Sequence, residues 1–224
     1  MEKWKNINIL YEDNHLLVVI KPANIPVCED SSHDIDLLTI LKEYLKEKYH
    51  KLGNVYLGLI HRLDRPVSGI MVFAKTSKAA SRLTNQIQNK SFNKVYYAIT
   101  EGKLKKEDTL ENYLYKDNKT NTSYITNKDK GKLSSLSYQV LATKDNLNLV
   151  KINLHTGRHH QIRVQLSNIN NPLYGDHKYN KNIKKDNKEN IALIAKELSF
   201  YHPTTKELLH FEIDLPKKYP WNIF

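Results

Sequence analysis

The chain has 224 residues, with 35 Lys and Arg against 24 Asp and Glu, for a formal net charge of +11. That length suits one domain spanning 1–224 with a real core, and the charge favours polyanionic partners, nucleic acid first. The single cysteine, Cys28, excludes an internal disulfide framework and a cysteine zinc site, and fits a reducing cytoplasm; the start carries no apolar signal core and no apolar run reaches membrane-spanning length.

In chain order, residues 7–21 read as two short strands. Leu16–Ile20 is a continuous apolar run, as in a strand buried on both faces. Lys21-Pro22-Ala23-Asn24 ends it in a turn, with Asn24 tolerant of a left-handed conformation. Residues 36–49 predict a helix with Leu37, Leu41, Tyr44, Leu45 and Lys48 on one face and Asp34 and Asp36 near its start. Ser77 can cap a second helix running to Asn89, with Ala80, Leu83 and Ile87 inward. Phe92–Leu104 reads as a long strand on which Tyr96 and Tyr97 point to opposite faces. Residues 116–132 read as a polar hairpin or surface excursion. Residues 134–143 and 147–155 alternate as an antiparallel pair with one wet face. A helix after Gly157 buries Ile162, Leu166 and Ile169, with Arg163 off that stripe. Residues 180–190 form a Lys- and Asn-rich loop, Ile191–Phe200 a strand, and Phe211–Pro216 the last structured stretch. Together these elements describe an α+β fold, strand-rich, with few helices.

Two stretches are dense in chemistry. In the first, Ile60–Lys75, one carboxylate, Asp64, stands between Arg62 and Arg65, with Pro66 and Gly69 bending the chain before an apolar strand. Flanking guanidinium groups favour an ionised Asp64. The stretch fits either a catalytic loop or a salt-bridged structural turn. In the second, Thr156-Gly157-Arg158-His159-His160-Gln161-Ile162-Arg163, Arg158 and the first-turn amides form a candidate phosphate site. Adjacent histidines on a helix face different ways and no Cys or Glu completes a ligand set, so no metal is expected.

His61-Arg62-Leu63-Asp64-Arg65 with Ser68-Gly69 and Phe73-Ala74-Lys75 resembles the signature of the RluA-type pseudouridine synthases. Lys21-Pro22, Lys94-x-Tyr96-x-Ala98 with Gly102, Thr156–Arg163, and Asn171-Pro172-Leu173-x-Gly175-Asp176-x-x-Tyr179 also match, in the family's order, over about residues 9–216. The chain departs from the pattern at Pro66-Val67, where Asp-Thr is usual, and at Leu193-Ile194-Ala195, where a histidine is usual. The resemblance implies a single catalytic domain with a mixed, mostly antiparallel sheet and a basic central cleft, without the accessory RNA-binding domain that many members carry ahead of it. It implies Asp64 as the catalytic carboxylate, Tyr96 lining the active site and Arg163 contacting the carboxylate. Arg62, Arg65, Arg158, His160 and Gln161 are expected at the RNA. Asn171–Tyr179 is read as a structural turn.

The implied reaction moves a uracil from nitrogen to carbon attachment on the same ribose. It gains and loses no atoms, so no cofactor is expected. The partner is structured RNA, ribosomal or transfer, and the protein is expected to be a cytoplasmic monomer with no membrane contact. Two other classes remain beside this one: a non-catalytic RNA-binding or RNA-chaperone protein on the same scaffold, and a hydrolase with paired carboxylates. The first has no need of Asp64, Tyr96 and Arg163 together. The second lacks another acid in a comparably motif-rich loop.

Overall fold

The computed structural model describes residues 3–183 and 189–224. The elements, in chain order, are β1 (Asn8–Glu12), β2 (Leu16–Lys21), α1 (Leu37–Lys48), β3 (Gly58–Leu59), β4 (Ser68–Ala74), α2 (Ser77–Gln88), β5 (Asn93–Glu101), β6 (Glu107–Asp117), β7 (Thr122–Thr126), β8 (Lys132–Lys144), β9 (Leu147–Leu154), α3 (Gln161–Asn168), β10 (Leu193–Tyr201) and β11 (Leu208–Glu212). The class is α+β, and each of the strand pairings set out below is antiparallel. The chain forms two compact units, Met1–Asn93 with Glu197–Ile213, and Lys94–Lys196 with Asp214–Phe224.

In the first unit β2 pairs with β1 and β4, β3 pairs with β4, and the end of β10 pairs with β11. Leu16, Val18, Ile70, Val72, Leu83, Phe92, Leu198 and Phe200 form its core, with Phe92 stacked on Phe200 at 5.4 Å. The apolar run at Leu16–Ile20 becomes β2, buried on both faces through Val19. Helix α1 buries Leu37, Ile40, Leu41, Tyr44 and Leu45 and starts at Asp36, whose carboxylate accepts from the Thr39 amide. Helix α2 is capped by Thr76 rather than Ser77, because the Thr76 hydroxyl accepts from the Ala79 amide.

In the second unit the strands run in the order β5, β9, β8, β6, β7. The polar stretch 116–132 is the hairpin of β6 and β7 with the loop leading into β8. Most of β6 has no counterpart in the sequence reading. Glu107, Asp108 and Glu111 break its pattern, and it buries only Leu110 and Leu114. The first half of β9, Leu147–Val150, is buried on both faces, so the expected wet face holds only toward its end. The expected 92–104 strand stops at Glu101, and Gly102 turns the chain at a φ of 95°. Part of the Lys/Asn-rich loop, 184–188, lies outside the described residues.

One carboxylate ties the first unit's elements together. Glu12, at the end of β1, accepts hydrogen bonds from Tyr44 and Lys48 of α1 at 2.7 Å each, from Tyr49 at 2.7 Å, and from Lys75 after β4 at 2.8 Å. Burial alone would raise its pKa from the ordinary 4.5, but hydrogen bonds from Lys48, Lys75, Tyr49 and Tyr44 outweigh it and hold the carboxyl at about 2. The folded value lies below the unfolded one. The stabilisation is therefore full above about pH 5 and lost as pH falls toward 2. Glu12→Gln is predicted to lower stability at pH 7 by about 2–3 kcal/mol and to flatten the acid limb, as measured by denaturant titration across pH.

Candidate active site

The loop around Asp64 is built by a lysine at the end of β2. Lys21 lies opposite Gly69 in the β2–β4 pairing and is 0% exposed. Its ammonium donates to the carbonyls of Pro22 and Ile25 at 2.8 Å each and of Arg65 at 3.0 Å. The Arg65 carbonyl also accepts from the Asn24 amide at 2.8 Å. Asn24 has a φ of 67°, the left-handed conformation expected of it. The Lys21–Asn24 turn thus grips the chain one residue beyond Asp64. The Val67 amide donates to the Asp64 carbonyl at 3.0 Å and closes the loop from its other side. Val67 is buried, which gives the Pro66-Val67 departure a packing role: the proline fixes the bend and the valine anchors it.

Burial drives the Lys21 pKa down to about 7; the charge of Asp64 pushes it up and that of Arg65 pushes it further down. Asp64 is half-buried and Arg62 exposed. Arg65, placed by the sequence beside Asp64, instead sends its guanidinium to the 30–34 loop. There it bonds Ser32 at 2.9 Å and Asp34, with Asp30 at 4.0 Å.

The second motif lies in the other unit and is described by itself. Arg163 on α3 is buried, 6% exposed, rather than off the buried stripe. The reason is Asp176, in the Asn171–Tyr179 turn. The guanidinium donates to both its oxygens, from Nε at 2.9 Å and Nη2 at 2.7 Å, and lies 5.1 Å from the Tyr179 ring centre. A bidentate partner is what allows a permanent cation to sit there. The turn read as structural therefore supplies the partner that holds Arg163 in place.

His160 and Gln161, expected at the RNA, are buried. Gln161 accepts from the Thr156 hydroxyl and the Arg158 amide, and donates to the Ser135 carbonyl, so its amide shapes its own loop. His159 and His160 stack at 3.7 Å; His159 bonds the Ser123 hydroxyl and His160 the Tyr179 hydroxyl. Burial, with added repulsion from nearby cations, lowers His159 to about 4 and His160 to about 2. Both rings are neutral at physiological pH and offer no charge to a phosphate. No group of three or more metal-ligating side chains occurs among the described residues. Arg158 is exposed and braced by the Leu133 carbonyl at 3.0 Å.

Tyr96, on β5 opposite Ile152, is buried, while Tyr97 points to the other face under the ammonium groups of Lys196 and Lys151 at 5.2 and 5.9 Å. Burial also lowers the pKa of Lys94, two residues earlier, whose ammonium lies 3.4 Å from where a Cβ on Gly157 would stand.

Residues 15–168 match the family model described as RNA pseudouridylate synthase. The chain belongs to that family. It is 34% identical over 218 residues to the uncharacterized RNA pseudouridine synthase YhcT of Bacillus subtilis, covering 96% of this chain and 70% of that protein. It is 31% identical to ribosomal large subunit pseudouridine synthase D of Zymomonas mobilis and 32% to that of Pseudomonas aeruginosa, covering 94% and 96% of this chain and 70% of each relative. The fold matches human RNA pseudouridylate synthase domain containing 4 with a TM-score of 0.78 at 23% identity, over 94% of this chain and 89% of that one. Pseudouridine synthases are isomerases, and their partner is RNA. Among the described residues no helix is long and apolar enough to cross a membrane.

Sequence reasoning placed Lys21 in a turn and in the Lys21-Pro22 match of this pseudouridine synthase, but gave its side chain no part in building the Asp64 loop. The folded pKa of Lys21, about 7, lies below its ordinary value of 10.5. Between those values the unfolded chain binds more protons, so the lysine's contribution to stability rises with pH, by up to about 1.4 kcal/mol per pH unit. The stability difference between wild type and Lys21→Met is predicted to grow in favour of wild type from pH 7 to pH 10 in urea titrations. A difference that does not change with pH would contradict a buried, titrating ammonium.

Proposed function

We propose that this pseudouridine synthase acts on large-subunit ribosomal RNA, with Asp64 as its catalytic carboxylate. The observation that carries the substrate is the run of relatives named ribosomal large subunit pseudouridine synthase D, in four bacteria at 30–33% identity. The catalytic assignment is supported by the Asp64 motif and by the way Lys21, Asn24 and Val67 fix its loop. A catalytic group held by backbone bonds on both sides keeps its geometry through turnover.

Chemically, an ionised carboxylate acts at the ribose, either as nucleophile or as base, while the bond to the uracil nitrogen breaks and the ring carbon takes its place. A detached uracil must be kept from water, which favours an apolar surround. Tyr96 and Arg163 take the roles the resemblance implies, a ring for the uracil and a permanent cation. Arg62, exposed beside Asp64, fills the stack that a flipped uridine leaves. A ribosomal substrate places the enzyme in the cytoplasm.

The test is tritium release from uracil carbon 5 by the purified protein on separate large-subunit, small-subunit and transfer RNA transcripts. Release from the large-subunit transcript alone is expected. Release from transfer RNA alone would overturn the substrate, and none from any transcript would overturn the activity.

A further inference from the structure

Lys94 opens the Lys94-x-Tyr96-x-Ala98 stretch of β5, and the chemistry above gives it no part. Residues two apart on a strand share a face, so its side chain leaves the sheet on the side of Tyr96, about 7 Å along the strand. The register agrees. Tyr96 lies opposite Ile152 and Val95 opposite Asn153, which puts Lys94 where β9 ends and the second motif begins. There its ammonium lies 3.4 Å from where a Cβ on Gly157 would stand, the one group within 4 Å of that point apart from the glycine's chain neighbours. Gly157 and Arg158 are both exposed. The ammonium therefore sits at an opening bounded on one side by bare backbone.

That ammonium has no acceptor. Lys94 is half-buried and burial lowers its pKa, while no carboxylate or carbonyl offsets the cost among the described residues. Other inward cations are treated differently. Lys21 has three carbonyls, Arg163 has both oxygens of Asp176, and Lys75 has the Glu12 carboxylate and the Asp13 carbonyl. A charge taken from water without a partner lowers stability. An ammonium has three donors and no acceptor, so an acceptor completes the site, and an anion does so best. RNA carries one at every nucleotide. The spacing from Tyr96 to Lys94 is close to the span from a base to the phosphate of its own nucleotide. The glycine leaves room for phosphate oxygens where any other residue would place a Cβ.

We propose that Lys94 binds a backbone phosphate of the RNA substrate at the Gly157 opening, beside the base that Tyr96 meets. The proposal rests on the RNA-modifying reading above for its substrate class. It accounts for a half-buried ammonium that folding does not require and that nothing in the protein neutralises.

The test uses the full chain, Lys94→Met, which keeps the stem and removes the charge, and Gly157→Ala, which fills the opening with one methyl group. Each is titrated with a large-subunit RNA transcript over a series of salt concentrations, with a melting curve alongside. Lys94→Met should bind several-fold more weakly at low salt, with the slope of log affinity against log salt shallower by about 1. It should melt no lower than wild type, since an uncompensated charge is gone. Gly157→Ala should melt as wild type does, because its methyl makes an ordinary contact, and should also bind more weakly. Unchanged affinity and slope in Lys94→Met would overturn the proposal and leave a lysine whose head only reaches water. Weaker binding with an unchanged slope would overturn the phosphate, since an uncharged base carbonyl gives that result. A Lys94→Met protein that melts lower would make the lysine structural, and unchanged binding by Gly157→Ala would remove the phosphate from this opening. Wild-type tritium release separates the two readings. An inactive wild type with the slope difference intact would overturn the catalytic reading alone. An active wild type whose Lys94→Met variant keeps the full slope would overturn the phosphate contact alone.

Discussion

The Lys21 ammonium is the constraint on which the Asp64 loop depends. Burying an ammonium is costly, and three carbonyl acceptors from two segments of chain distant in sequence offset part of that cost. Two of those acceptors come from the turn after Lys21, and the folded loop at 64–67 provides the third, the Arg65 carbonyl. If the loop slipped, the ammonium would lose its Arg65 partner while still buried, an outcome penalised more heavily than the loss of a surface bond. The same cation feels the Asp64 charge. One buried group thus links the end of β2, the turn at Asn24 and the carboxylate on which the proposed chemistry rests.

The second unit solves a similar problem differently. Arg163 is buried as half of a bidentate ion pair, and Asp176 accepts in addition from the backbone amides of Lys178 and Tyr179. Removing either partner would leave an uncompensated buried charge. Around the pair, His159, His160, Tyr179 and Ser123 form a neutral hydrogen-bonded layer. Positive charge is therefore retained on the arginine and excluded from the histidines next to it. Arg62 and Arg158, by contrast, are exposed.

Much of the fold was legible because periodicity reports burial directly. The run Leu16–Ile20, the stripe of α1 and the alternation of β8 each describe one buried face or two. Strand β6 was not legible, since its outer face carries charge and its inner face only two leucines. The two chemical stretches stood out by motif, but the roles of their neighbours did not. Lys21 and Asp176 carry no local sign of burial, because each is determined by partners 44 and 13 residues away. Arg65 read as a partner of Asp64 because it is adjacent in sequence, yet its side chain turns to Ser32 and Asp34. Adjacency fixes where a backbone goes, not where a long side chain ends.

The central claim is that Asp64 is catalytic and not merely an ion in a structural turn. Asp64→Asn preserves size while removing the charge and the nucleophile, so single-turnover pseudouridine formation on large-subunit RNA, measured beside a melting curve and an RNA-binding isotherm, separates the two roles. The account predicts a folded protein that binds RNA and forms no product within the time of many wild-type turnovers. Substantial product from a well-folded Asp64→Asn protein would contradict it.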